Sequence, residues 1–279
     1  MASPLYIAVD LGAGSGRVYL AGLDPGELLL EEIHRFQYPP TESDGRLRWD
    51  FFRIFDGIRC GLKLAGSRSR ELGRSIQSLG VDSWAVDYGL LDAGGKLIVD
   101  PVCYRDKRTQ NTMERVFAIV PRSEIFEKTG IQFQNFNTLF QLFSEGESSE
   151  KAEKILLLPD LINFFLTGKA VAEYTNATTT QMVNAATGGW DLDLLERLQL
   201  SAHILPKIVP AGTNAAALAI LLQLVFPTGK QIDIPKPKRM VSFCLICQNP
   251  HPAGPQFHLG CLIRSATNWR HCPRAAKTA

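Results

Sequence analysis

The first nineteen residues after Pro4 constrain the fold more than any other stretch. An apolar, β-rich run, Leu5–Leu11, ends at Asp10-Leu11 and passes through Gly12-Ala13-Gly14-Ser15-Gly16 into Arg17–Leu23, which again has strand composition. Glycines after a strand suggest a dinucleotide fingerprint, but that motif needs a helix to begin inside the glycines so that its N-terminal N–H groups meet a pyrophosphate. Val18, Tyr19 and Leu20 favour a strand instead. The reading is therefore strand, glycine turn, strand. A hairpin of this kind can hold phosphate, because successive backbone N–H groups in a turn form an anion-binding concavity that glycine lets a ligand approach. A plain tight hairpin accounts for the same letters.

The following pattern extends this start into an α/β domain. Asp24-Pro25-Gly26 turns the chain into Glu27–Tyr38, a third extended segment, so three successive antiparallel strands are expected. Asp50 is placed as an N-cap for a helix over 50–65, in which Phe51, Ile54, Phe55, Ile58, Leu62 and Leu64 recur near helical spacing. Ser75–Asp82, Ala85–Leu91 and Lys96–Val99 read as extended, and Pro101–Arg108 as a polar loop. Helices are expected near 109–119, 122–129 (closed by Gly130), 137–144, 159–167 (closed by Gly168) and 191–199. Strands first and helices after give a mixed sheet with flanking helices.

The last 66 residues have a different chemistry. Residues 214–279 carry eight basic side chains against one acid, Asp233, and hold four of the six cysteines and seven of the 16 prolines. The chain as a whole has a formal net charge of +2, so residues 1–213 are net −5 and the tail net +7. Cys244, Cys247, His251, His258, Cys261, His271 and Cys272 are candidate zinc ligands, but after Cys244-x₂-Cys247 no second pair has finger spacing. The positive charge would attract nucleic acid, which is disfavoured because no recognition-fold signature accompanies it. The preferred expectation is an irregular tail produced by a shifted reading frame or a mis-joined exon after Thr213. Met1–Pro4 lacks a positive n-region, and the longest apolar run, Ala215–Phe226, is ~12 residues against the ~20 a spanning helix needs. A cytoplasmic protein with no membrane partner is expected.

Several segments together resemble the FGGY carbohydrate kinases, and within that family the rhamnulokinase branch. They are Tyr6–Arg17, Leu79-Gly80-Val81-Asp82-Ser83-Trp84-Ala85-Val86-Asp87-Tyr88, Tyr104-Arg105-Asp106, Gln134–Leu139 and Glu173–Gln181, in order over about residues 5–213. The resemblance implies an actin-like ATPase (ribonuclease H-like) domain, the first of two that close over sugar and ATP, with 214–279 outside it. It implies transfer of the ATP γ-phosphoryl to a primary hydroxyl of L-rhamnulose. It places Ala13, Gly14, Ser15, Gly16 and Arg17 on the ATP phosphates and Ala85, where the family more often has glycine, at the sugar. Asp82, Trp84, Asp87, Tyr104 and Arg105 are further candidates for the sugar pocket. Asp10, ending the first strand, is a candidate Mg²⁺ ligand, directly or through water. These residue types suit phosphoryl transfer, which asks for positioning and charge neutralisation more than for a covalent nucleophile. The general-base aspartate segment that the family carries after this region is not found in these residues, so no catalytic base is assigned. A first domain alone would also expose an apolar face and tend to self-associate.

Overall fold

The structure, a computed structural model, describes residues 3–145, 151–214 and the backbone of 239–242. Strands β1 (Leu5–Leu11), β2 (Ser15–Asp24) and β3 (Glu27–Gln37) form the expected antiparallel meander, with β1 and β2 in register from Leu5↔Gly22 to Leu11↔Gly16. Residues 17–23 are extended, so the glycine turn is a hairpin and not a helix entry. A small hairpin, β4 (Thr41–Ser43) and β5 (Arg46–Arg48), leads into α1 (Phe51–Glu71). Asp50 caps α1 as its sequence position suggests, its carboxylate accepting from Arg53 N–H at 2.9 Å. The helix runs past residue 65, ending in a basic last turn with Arg68 and Arg70 that suits the negative pole of the helix dipole.

After α1 the chain returns as β6 (Ile76–Ser83), parallel to β1 and in register from Tyr6↔Ser78 to Leu11↔Ser83. The strand Arg239–Ser242 adds parallel to the far side of β6, so the five-stranded order is (239–242)–β6–β1–β2–β3. An antiparallel meander continued by parallel strands is the mixed sheet that the resemblance implies. The tail, expected to be irregular, thus contributes one short strand to the sheet; the candidate zinc ligands and the rest of 215–279 lie outside the described residues. Among the described residues no helix is long and apolar enough to cross a membrane.

The main core is the seam between this sheet and α1. Ile7, Val9, Val18 and Leu20 from the sheet meet Phe51, Ile54, Ile58 and Leu62 from the helix, all buried. Gly57 and Gly61, one turn apart, let the helix lie close to the sheet. A Cβ on Gly57 would overlap the Phe36 ring, and one on Gly61 would overlap Val18. Gly61→Ala should therefore cost about 1–2 kcal/mol net in chemical denaturation, because the overpacking of ~1–3 kcal/mol outweighs the ~1 kcal/mol gain in helix propensity. A neutral or stabilising Gly61→Ala would mean that the seam is looser than described.

A second cluster lies beyond β6. There β7 (Tyr88–Leu91) pairs antiparallel with β8 (Lys154–Leu157), and α2 (Thr112–Phe117), α3 (Arg122–Thr129) and α4 (Thr138–Phe143) pack around them. Its buried members include Leu90, Val116, Ile125, Phe140 and Leu157. The helix α5 (Leu158–Thr167) follows β8 directly and sends Leu158, Leu161 and Ile162 back into the main core, binding the two clusters together. It closes at Gly168 with φ +77, and α3 closes at Gly130 with φ +68, the left-handed caps expected of both glycines.

Candidate functional site

The glycine hairpin stands at the carboxyl end of β1, beside the carboxyl end of the parallel β6, which is the end of such sheets where ligands gather. Gly14 adopts φ +149, which L side chains rarely adopt, and a Cβ on Gly16 would meet the Phe36 ring at 2.5 Å. Gly12 N–H closes the turn on Ser15 O at 2.9 Å and Gly14 N–H bonds Gly12 O at 2.8 Å, whereas among the described residues no acceptor takes the N–H of Ala13. Ala13 is exposed, and Ser15 and Arg17 are half-buried beside it. Asp10 accepts from Arg17 Nη1 at 3.5 Å and lies directly opposite Asp82 in the parallel register.

The second group of candidates surrounds a buried carboxylate. Asp87 is fully buried, and its Oδ2 accepts from Trp49 Nε1 at 2.6 Å, Trp84 Nε1 at 2.9 Å and the Tyr104 N–H at 3.2 Å. Its Oδ1 accepts from Gln141 Nε2 at 3.2 Å. Burial pushes the Asp87 carboxyl up to about 6, against the opposing pull of these four donors. The carboxylate is thus fully occupied from within, holding Trp84 and Tyr104 in place. Ala85 sits half-buried at the bend just before it, where Val86 adopts φ +72. A β-branched residue in that region is a backbone outlier. The bend persists because the Val86 carbonyl is held by Thr138 Oγ1 at 2.8 Å and Gln141 Nε2 at 3.2 Å.

Gln141 continues the chain of contacts inward. Its Oε1 accepts from Arg108 Nη2 at 2.7 Å, Arg108 pairs with Glu145 at 2.9 Å with both side chains under 8% exposed, and Tyr88 Oη donates to Glu145 Oε2 at 2.6 Å. Outward, the Arg105 guanidinium lies 5.6 Å from the Trp49 ring centroid and 5.3 Å from that of Tyr104, and donates to Ala13 O at 3.0 Å. Its neighbour Asp106 does not pair with it. Asp106 accepts from the Leu47 and Arg108 N–H groups and pairs with Arg46. The two remaining segments singled out in the sequence also meet, since Asn137 Nδ2 donates to Gln181 Oε1 at 2.9 Å, which fixes the start of α4 that carries Thr138 and Gln141.

The structure therefore brings Asp10, Asp82 and the hairpin Ala13–Arg17 to one sheet end, and joins them through Arg105 to the group Trp84, Ala85, Asp87 and Tyr104. Sequence reasoning missed Tyr38, Trp49, Gln141, Arg108 and Glu145. The Gln134–Leu139 segment was the one signal that pointed near Gln141.

The profile of the FGGY family of carbohydrate kinases, N-terminal domain, matches residues 5–235. The chain belongs to that family. The match runs past Thr213. Among curated relatives, the rhamnulokinase of Ligilactobacillus salivarius (strain UCC118) is 46% identical over 209 residues, covering 75% of this chain and 42% of that protein. The rhamnulokinase of Bacillus subtilis (strain 168) is 42% identical over 215 residues, covering 77% of this chain and 44% of that protein. This FGGY chain thus spans less than half the length of the relatives it matches. Among solved structures, the gluconate kinase from Lactobacillus acidophilus superposes with a TM-score of 0.71 at 20% identity, covering 86% of this chain and 48% of that one. The xylulose kinase from Rhodospirillum rubrum gives a TM-score of 0.71 at 19% identity, covering 86% and 49%. At that identity the likeness bears on the fold alone.

Proposed function

We propose that residues 5–213 form the phosphate- and sugar-binding half of an ATP-dependent kinase acting on L-rhamnulose in the cytoplasm. The observation that carries this reading is the hairpin itself, a turn with exposed Ala13 at its tip, whose N–H meets no acceptor among the described residues, and an aspartate at the carboxyl end of each adjoining parallel strand. The reaction passes the γ-phosphoryl of ATP to the primary hydroxyl of the sugar. The new bond is O–P, the bond broken joins γ-phosphorus to the bridging oxygen, the hydroxyl proton passes to a base and on to water, and ADP and a sugar 1-phosphate result.

The residues have distinct parts in this proposal. The turn Ala13–Gly16 holds phosphate oxygens through backbone N–H groups, that of Ala13 first because the Gly14 N–H is spent on Gly12 O, and Ser15 and Arg17 add a hydroxyl and a cation. Ala85, Trp84, Tyr104 and Arg105 line the sugar side. Asp87, occupied by four protein donors, acts by holding that wall. Magnesium fits here, because Asp10 and Asp82 offer hard oxygen donors on neighbouring strands, and Mg²⁺ takes one or two carboxylates while keeping several waters. Bound there, it would neutralise phosphate charge. Asp10 would hold it, with its present partner Arg17 turned to the phosphates.

The test separates binding from turnover. The 279-residue polypeptide should bind L-rhamnulose in calorimetry yet release ADP from ATP and L-rhamnulose at a rate near background, because these residues include no assigned general base. Absence of sugar binding would remove L-rhamnulose from the reading, and robust ADP release would show that a base is present after all.

A further inference from the structure

Resting on the phosphate-hairpin reading above, we propose that Tyr38 is the positioning residue of that hairpin, turning its carbonyl oxygens away so that only N–H groups face an anion. A backbone turn attracts phosphate only when its carbonyl dipoles point elsewhere, since each carbonyl oxygen facing the anion repels it. All four carbonyls of the turn are held by donors. Tyr38 Oη lies 2.7 Å from Gly12 O and 2.9 Å from Ser15 O, and Tyr38 N–H donates to Gly14 O at 3.0 Å. Arg105 takes the fourth, Ala13 O. One residue thus grips three of the four oxygens, its single phenol proton shared between two of them.

The grip is itself fixed. Tyr38 is 1% exposed, its ring stacks at 6.0 Å on Trp84 and meets Trp49 edge-on at 6.3 Å, and both indoles are pinned to Asp87. Burial raises the phenol further above its ordinary range, so it keeps its proton and remains a donor at every physiological pH. The residue that shapes the phosphate turn therefore leans on the same carboxylate that holds the sugar wall.

Tyr38→Phe keeps the ring and its stacking and removes only the grip on Gly12 and Ser15. The full chain and this variant are titrated with inorganic tripolyphosphate and, separately, with L-rhamnulose, and their melting temperatures are compared. The expected result is a roughly tenfold weaker tripolyphosphate affinity, with sugar affinity within about twofold and the melting temperature close to the parent's. Unchanged tripolyphosphate affinity overturns the assignment. So does a parallel loss for both ligands, or a weakened anion affinity matched by a large drop in melting temperature, since a purely structural role would act that way. If the parent chain itself does not bind tripolyphosphate, the hairpin reading fails first and the role of Tyr38 falls with it.

Discussion

Asp87→Ala is expected to lower the unfolding free energy by about 4 kcal/mol, as read from urea denaturation at pH 7. The variant takes the acceptor from the buried Trp49 indole N–H and from the half-buried Trp84 indole and Tyr104 N–H groups, while the Gln141 amide keeps the Val86 and Phe136 carbonyls. Each orphaned donor costs ~1–3 kcal/mol, partly offset because the desolvated carboxylate is itself removed. The pH dependence gives a second reading of the same group. Its carboxyl lies at about 6 in the fold against the ordinary 3.8, so the native state holds the proton more tightly than the unfolded chain. The stabilisation from that proton is complete below about pH 4 and is lost as pH rises through about 6, a decline on the order of 3 kcal/mol. Asp87→Asn, which cannot titrate, should flatten that segment of the curve. A loss below about 1 kcal/mol for the alanine variant, or an unaltered pH profile for the asparagine variant, would show that Asp87 is not the hub described.

The second large effect is expected at the buried ion pair. Arg108→Met strands the Glu145 carboxylate in the interior with Tyr88 as its remaining described partner, and should cost about 3–5 kcal/mol. Replacing both partners, as Arg108→Met with Glu145→Leu, should cost clearly less than the single change, because the desolvated charges leave together. A double-mutant cycle in denaturant measures the difference. If the two changes simply add, Arg108 and Glu145 contribute independently and the pair is not the unit it looks.

What could be read in the letters, and what could not, divides by range. The hairpin, α1 and its Asp50 cap were legible because strand composition, a glycine turn and helical periodicity are all local signals. The segment Ala85–Leu91 looked uniformly extended, yet Val86 at φ +72 breaks it, since the bend is imposed by Thr138 and Gln141 more than fifty residues on. Lys96–Val99 has strand composition but, among the described residues, makes a single bridge, Leu91↔Leu97, because β7 finds its ladder partner in Lys154–Leu157. The candidate site shows the same division. Asp10, Asp82 and the glycines were marked by motif and position. The roles of Tyr38, Trp49 and Gln141 follow from contacts with residues distant in the chain, and no local pattern reports such contacts.

The parallel seam between β1 and β6 has a consequence for how the domain is made. Leu5 faces Ile76 across that seam, so a nascent chain emerging from the ribosome can build the three-stranded meander long before the neighbouring strand has been synthesised. During that interval the apolar sheet face has no cover until α1 is translated, and the edge of β1 stays open for longer still. The strand ends that carry the glycine hairpin accordingly gain their parallel neighbour only once β6 has been made. Slow translation through residues 50–83 would prolong the time in which the young meander is exposed to misassociation.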